Sequence, residues 1–266
     1  MTTPIAVTIA GSDSGGGAGI QADLKTFSAL GVYGASVITA LTAQNTKGVT
    51  GIHDVPPDFI AAQIDAVFSD LDVRAVKIGM LSQPAVIEAV AAGLERWRQS
   101  LVVLDPVMVA TSGDRLLNPD AIAVLKRVLI PRALVITPNL PEAAALLDAP
   151  LARNEEEMRA QAVRLMEQGA RAVLIKGGHA EGAESVDILL APASFTRLAS
   201  ERIATRNTHG TGCTLSSAIA AGLAKGLDLV AAAREAKAYV SAAIAASQRL
   251  QIGSGSGPVH HFHVWW

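Results

Sequence analysis

The sequence predicts an α/β protein with three layers, in which helices cover both faces of a central, mostly parallel sheet. Short β-branched runs recur along the chain, and each is followed by a longer stretch with helical spacing. The runs are apolar throughout, which is typical of parallel strands that are buried on both faces. The predicted parallel strands are residues 5–10, 35–41, 73–78, 101–104, 134–137 and 172–175.

Helix boundaries are marked by capping residues and prolines. Asn154 followed by three glutamates predicts a helix start, and Gly169 predicts its end. Further helices are predicted at residues 84–97, 119–128 and 228–250, and antiparallel strands at 185–192 and 196–203. Since no linker or internal repeat is found, residues 1–266 are predicted to form a single domain, with a flexible tail at 253–258.

The amino-acid composition limits the kinds of partner that the protein is expected to bind. The 266 residues are 50% hydrophobic and carry a net charge of -2, with no block of Lys or Arg, which argues against nucleic acid and anionic membranes. A single cysteine rules out an internal disulfide. The N-terminus lacks a signal-peptide pattern, and no apolar run reaches the roughly 18 residues of a membrane helix. We expect a cytoplasmic protein that binds small molecules.

Polar and glycine residues follow the predicted strands, where the ligand site of an open α/β sheet lies. The loop after the first strand, GSDSGGGAG, matches neither a P-loop nor a dinucleotide fingerprint. It allows a close approach of the backbone to a ligand, although a merely permissive turn is the alternative. The other strands are followed by Gln44-Asn45, Gly79-Met80, Asp105-Pro106, Pro138-Asn139 and Lys176-Gly177-Gly178.

A second glycine turn, Gly210-Thr211-Gly212, precedes Cys213 and a predicted helix at 214–225. Free backbone N–H groups and the helix dipole make such an end an anion site suited to phosphate. The same field predicts a lowered pKa for the Cys213 thiol. The alternative is that Cys213 is a small buried hydrophobic residue. His209 borders the turn and is expected only to shape it.

Two acids and a lysine complete a set suited to phosphoryl transfer. Asp105 ends an apolar strand and Glu142 begins a helix, so their carboxylates suit a magnesium ion that also holds phosphates. For Glu142 the alternative is compensation of the helix dipole. Lys176 at the end of an apolar strand needs a partner such as a phosphate.

Eight segments occur in order along the chain: AGSDSGGGAGIQADLKTF, ALTAQNT, KIGML, DPVM, SGDRLL, TPNLPEAAALL, KGGH and NTHGTGCTLSSAIAAGLA. Together they resemble the hydroxymethylpyrimidine and phosphomethylpyrimidine kinases of thiamin biosynthesis, in the ribokinase-like superfamily. The resemblance runs from residue 9 to about 262 and includes the tail GPVHHFH.

The resemblance implies a dimeric kinase that uses ATP and Mg²⁺ to phosphorylate 4-amino-5-hydroxymethyl-2-methylpyrimidine and then its monophosphate. By resemblance, Gly210, Thr211 and Gly212 form an anion hole and Cys213 is the base. Asp105 and Glu142 are then the metal residues. The implied ATP-binding residues are Lys176, Asn139 and Thr208, and the implied pyrimidine pocket contains Gln44, Asp23, Gly11, Ala18, Met80 and Val107.

Two alternatives stay open. A pyridoxal or pyridoxine kinase would accept a ring of similar size, although the Gln44 amide complements an aminopyrimidine edge. A non-catalytic pyrimidine sensor would need the pocket but none of the phosphoryl-transfer groups. The combination of Cys213, Lys176, Asp105 and Glu142 therefore favours an enzyme.

Overall fold

The computed structural model describes residues 2–108, 119–178 and 182–266. Of the resembling segments, SGDRLL and the final histidine of KGGH lie outside these ranges. The strands are β1 (Ile5–Asp13), β2 (Tyr33–Asn45), β3 (Gly48–Asp54), β4 (Ala75–Ile78), β5 (Val102–Leu104), β6 (Val135–Ile136), β7 (Val173–Lys176), β8 (Glu184–Ala191) and β9 (Ser194–Glu201). The α-helices are α1 (Gly19–Ala29), α2 (Pro57–Phe68), α3 (Pro84–Arg96), α4 (Pro119–Val124), α5 (Leu140–Leu147), α6 (Glu155–Glu167), α7 (Thr211–Ala224) and α8 (Leu229–Ala245).

The described strands form one sheet in the order β3-β2-β1-β4-β5-β6-β7-β8-β9. The pairs from β2 through β1, β4, β5 and β6 to β7 are parallel. Antiparallel strands extend both edges, with β3 at one and the β8–β9 pair at the other. The mostly parallel sheet and the antiparallel pair near residues 185–203 are confirmed. The β3 strand was not predicted.

Alternate strand residues face opposite layers of helices. Val102 and Leu104 pack in the cluster that includes α2, α3, α5 and α6, whereas Val103 packs in the cluster of α1, α7 and α8. The two clusters lie on the two faces of the sheet, so the predicted three layers are confirmed. Among the described residues, no helix is long and apolar enough to span a membrane.

Local sequence accounts for the helix ends. The Asn154 side chain caps α6 by accepting from the Glu157 N–H at 2.8 Å, as predicted. The helix predicted at 119–128 changes after residue 124 into a π-helical turn, Leu125–Leu129. The α7 helix begins at Thr211, three residues before the predicted start, because Gly210 is its N-cap residue.

The C-terminal tail is attached to the domain. The Ser256 N–H donates to the Thr46 carbonyl at 2.9 Å, and the His209 N–H donates to the Gly257 carbonyl at 3.0 Å. Residues 257–261 are buried. The flexibility predicted for 253–258 is therefore wrong for its second half, because these backbone groups find partners in two loops of the domain.

Candidate active site

A cavity of about 700 Å³ opens at the carboxyl ends of the parallel strands. Every predicted site residue except Asp23 lines it. A more open groove of about 600 Å³ runs along α4 and α5 near Ile122 and Lys126, and it contains none of the predicted site residues. The lining residues of the larger cavity that were predicted are Gly11, Ala18, Gln44, Met80, Asp105, Val107, Asn139, Glu142, Lys176, Thr208, Gly210, Thr211, Gly212 and Cys213.

The start of α7 lines one end of this cavity. Gly210 has φ +79°, and a Cβ atom there would lie 1.9 Å from the Gly17 carbonyl oxygen, so only glycine fits. Helix geometry leaves the N–H groups of Gly212 and Cys213 without intrahelical acceptors. A Cβ at Gly212 would lie 3.2 Å from the Lys176 Nζ atom, so these amides and the lysine face a common space.

Lys176 holds the two acids of the site together. Its Nζ atom lies 2.7 Å from Asp105 Oδ1 and 3.8 Å from Glu142 Oε2. Burial lowers the pKa of Lys176, but the charges of Asp105 and Glu142 outweigh this effect and raise the pKa, so the amine stays protonated. Thr137 donates to Asp105 Oδ1 at 3.1 Å and fixes that carboxylate at the end of the sheet.

Glu142 is fixed by a capping box at the start of α5. The Asn139 N–H donates to Glu142 Oε2 at 2.7 Å, and the Glu142 N–H donates to Asn139 Oδ1 at 2.8 Å. Burial and the neighbouring charge of Asp105 raise the pKa of Glu142 to about 7, although Lys176 opposes the shift. Both the dipole-compensating position and a place in the cavity are therefore observed for this residue.

The acids fit a divalent cation that also binds phosphate. Among the described residues, Lys176 is the only cation paired with Asp105 and Glu142, so the two carboxyl groups share one positive charge. Nowhere in the described residues do three or more His, Cys, Asp or Glu side chains form a group that could hold a metal ion by themselves. Two carboxylates, completed by phosphate oxygens and water, match the way Mg²⁺ is bound at such sites.

Asp23 does not line the cavity, which corrects its predicted place in the pocket. It is fully buried, and its oxygens accept from Lys77 at 2.8 and 2.9 Å, from Thr8 at 2.6 Å and from Ser217 at 2.7 Å. With its acceptor capacity used by these donors, the carboxylate supports α7 from below. Burial lowers the pKa of Lys77, but Asp23, with smaller contributions from Cys213 and Asp105, raises it.

The predicted low pKa of Cys213 is wrong. Burial raises the pKa of the thiol to about 11, and the Lys77 charge only partly offsets this effect. The thiol is therefore neutral in the resting protein, in spite of its place in the first turn of a helix.

Apolar contacts shape the other end of the cavity. A Cβ at Gly11 would lie 2.7 Å from the Met80 methyl group, so glycine leaves room for this side chain. The Gln44 amide oxygen lies 3.1 Å from the Thr42 hydroxyl, and its nitrogen lies 3.5 Å from the His209 Nε2 atom. The amide thus stands at the wall of the cavity beside an apolar surface.

Sequence reasoning missed several residues of the cavity. His209 and Asp13 both line it, and they form a hydrogen bond of 2.9 Å. The only sequence signal was their position inside the two glycine loops. The far end of the cavity is lined by Lys237, Val240, Ser241 and Ile244, which belong to a helix without any motif.

Comparisons with known proteins agree with this geometry. A family model described as phosphomethylpyrimidine kinase matches residues 13–260. The hydroxymethylpyrimidine/phosphomethylpyrimidine kinase of Rhizobium meliloti is 63% identical over 264 residues, which cover 99% of each chain.

Similar solved structures include two pyridoxal kinases. The enzyme from Bacillus subtilis, solved as an ADP complex, superimposes with a TM-score of 0.91 at 37% identity and 99% coverage of each chain. The enzyme from Staphylococcus aureus, solved with AMP-PCP and pyridoxal, has a TM-score of 0.91 at 32% identity, covering 100% of this chain and 96% of the other. From the family match, the near-complete alignment and the shared fold, the chain belongs to the phosphomethylpyrimidine kinase family and is a phosphotransferase with the ribokinase-like fold.

Proposed function

We propose that the protein transfers the γ-phosphoryl group of ATP to 4-amino-5-hydroxymethyl-2-methylpyrimidine, and then phosphorylates the monophosphate to the diphosphate. One observation carries this proposal: a single cavity is lined on one side by the Gln44 amide and the apolar Met80, and on the other by Lys176 and the free backbone amides of α7. An aminopyrimidine presents a donor beside a ring acceptor, which the Gln44 amide complements. The family relatives named for this activity support the assignment.

In this proposal the amides of Gly212 and Cys213 bind the phosphoryl group in transit, and Lys176 neutralises charge on it. Asp105 and Glu142 would hold Mg²⁺, and the ion, when bound, would neutralise the phosphate oxygens. Asn139 fixes Glu142 through the capping box, and Thr208 accepts from the Thr211 hydroxyl at 2.5 Å, which shapes the loop.

The acceptor hydroxyl would face Cys213. A thiol with a pKa near 11 is neutral at physiological pH, so base catalysis can draw only on a small thiolate population. Phosphoryl transfer has a loose transition state that needs little proton transfer before the O–P bond forms. We therefore assign a larger share of the catalysis to the anion hole than to Cys213.

We further propose that residues 1–266 act as a single kinase domain, in the cytoplasm, and as a homodimer. The absence of an internal disulfide is compatible with a reducing compartment. Dimerisation is supported by β3, an open sheet edge, and by the apolar side chains of Leu41 and Ile52, which are 47% and 42% exposed on the β2–β3 hairpin.

The activity is tested by mixing the protein with the pyrimidine alcohol and MgATP and measuring ADP. We expect turnover that stops when EDTA removes the metal, and only weak competition by pyridoxal. Preferential turnover of pyridoxal would favour the alternative kinase, since the fold is shared with pyridoxal kinases. Binding of the pyrimidine without release of ADP would favour a sensor.

The ranking of the anion hole above Cys213 is tested by two substitutions. A Cβ atom at residue 212 would lie 3.5 Å from Asp105 Oδ2, so Gly212→Asp adds a second negative charge close to this carboxylate. We expect kcat/KM of this variant to fall by about two to three orders of magnitude. Cys213→Ser should cost less than about a hundredfold. Gly212→Ala, which adds only a methyl group, is the matched control and should lie between them. The reverse order would assign the main role to the thiol.

The state of the thiol is measurable because Cys213 is the only cysteine. Alkylation by iodoacetamide, followed by mass spectrometry, should rise about tenfold per pH unit from pH 7 to 10 without a plateau, since only the thiolate reacts. The same chain unfolded in guanidinium is the control and should level off near pH 9. A plateau at neutral pH in the folded protein would contradict the raised pKa.

The dimer is tested by sedimentation equilibrium. The expected mass is twice the 27.5 kDa of the chain. Leu41→Asp, on the face of the hairpin that also carries His53, should give the mass of a single chain while leaving the circular dichroism spectrum unchanged. A single-chain mass for the unsubstituted protein would remove this part of the proposal.

A further inference from the structure

The two glycine loops of the site meet at one side chain, His209. Its ring is buried, and its Nε2 atom lies 2.9 Å from Asp13 Oδ2. A Cβ at Gly17 would lie 2.3 Å from the ring Cδ2 atom, so the ring rests directly on the backbone of the first loop. His209 also immediately precedes Gly210, the N-cap residue of α7.

Asp13 holds the first glycine loop through hydrogen bonds from the loop's own backbone N–H groups. Its Oδ1 atom accepts from the Gly15 N–H at 2.8 Å, and its Oδ2 atom accepts from the N–H groups of Gly17 and Ala18 at 3.0 and 2.8 Å. Burial raises the pKa of this carboxyl group, but the hydrogen bonds from His209, Ala18 and Gly15 outweigh burial and lower it. Asp13 is therefore ionised and acts only as an acceptor.

The tautomer of His209 follows from this state. A carboxylate cannot donate, so the His209 Nε2 atom must carry the hydrogen of the 2.9 Å bond. An Nε2 atom that carries a hydrogen cannot accept from the Gln44 amide nitrogen at 3.5 Å. The amide nitrogen of Gln44 is thus left for a ligand, while its amide oxygen accepts from the Thr42 hydroxyl at 3.1 Å.

The backbone of the second loop is held at the same place. Gly210 approaches the Gly17 carbonyl so closely that a Cβ would overlap it, and the His209 N–H donates to Gly257 of the C-terminal segment at 3.0 Å. The loop that bears the phosphate amides is therefore braced between the first glycine loop and the tail.

We propose that His209 is a positioning residue that, by donating from Nε2 to Asp13, fixes the separation of the acceptor loop (residues 11–19) and the phosphate loop (residues 208–213). It sets the alignment of the acceptor oxygen with the phosphorus, not the affinity for either substrate. A misplacement of about 1 Å costs about a hundredfold in rate, which gives the expected size of the effect. This inference rests on the proposed kinase function.

A matched pair of substitutions tests it. In His209→Gln the amide nitrogen reaches the place of Nε2, whereas in His209→Asn it reaches only the place of Nδ1. We expect kcat of the Gln variant within about fivefold of the unsubstituted protein, and kcat of the Asn variant lower by about a hundredfold. Both KM values should change less than about threefold, because substrate contacts remain. Equal kcat in the two variants, or a loss confined to KM, would overturn the proposal.

Asp13→Asn provides a coupling test. Because the two groups act as one bond, the double variant His209→Asn/Asp13→Asn should lose little more activity than the worse single variant. Additive losses would overturn the coupling. Melting temperatures of all variants are measured together, and a loss of kcat that simply follows the melting temperature would mean that His209 has only a structural role.

A measurement on the unsubstituted protein does not depend on any variant folding. Long-range ¹⁵N–¹H correlation spectra of the imidazoles should show Nε2 of His209 protonated, and a bare Nε2 would overturn the assignment. If the unsubstituted protein does not phosphorylate the pyrimidine alcohol, the proposed function fails, and the tautomer result still decides whether His209 donates from Nε2 to Asp13.

Discussion

The first two turns of α7 are held against the sheet by two buried carboxylates, and the geometry of the site depends on this attachment. Ser217 donates to Asp23 at 2.7 Å, and Ser216 lies 3.4 Å from Asp105. Each carboxylate is paired in turn with a lysine from a strand, Lys77 or Lys176. Because the strands are parallel, both lysines belong to one rigid sheet, and the free amides of α7 are fixed relative to it.

Burying such ion pairs costs desolvation free energy, so their role here is to hold α7 and the carboxylates in position. The Lys77–Asp23 pair is fully buried and satisfied, so it provides a fixed support. The Lys176–Asp105 pair lies at the cavity, where Glu142 adds a second carboxylate and leaves the charges unbalanced. The first pair holds α7 in place, and the second lies beside Glu142 in the cavity, which Lys77 of the first pair also lines.

The sequence was informative where burial dictates composition. The apolar runs identified β1, β2, β4, β5, β6 and β7 because strands covered on both faces must be apolar. The edge strand β3 was missed because its sequence, GVTGIHD, is mostly exposed and carries no such run. The tail appeared flexible from its glycine and serine content, whereas its attachment depends on Thr46 and His209, which are distant in sequence.

Within the site, the sequence predicted which residues line the cavity better than it predicted their protonation and their hydrogen bonds. The predicted side chains line the cavity, except that Asp23 lies beneath it because its place on α1 directs it towards Lys77. A helix start suggested a thiolate at Cys213, and burial reverses that expectation. Asp13 and His209 sat inside glycine loops, where no spacing rule showed that they bond across 196 positions.

A neutral thiol, a fully braced phosphate loop and a fixed Gln44 wall suggest how one fold serves different hydroxymethyl acceptors. In the proposed function the phosphate end would depend on the backbone amides of α7 and on Lys176, which bind phosphate and not the acceptor ring, so it can stay the same when the ring changes. The proposed acceptor end contains Gln44, Met80 and the small residues near Gly11, where single substitutions would alter shape and hydrogen bonding. Because His209 and Asp13 join these two ends, we expect changes of acceptor preference to arise from residues that leave this bond intact.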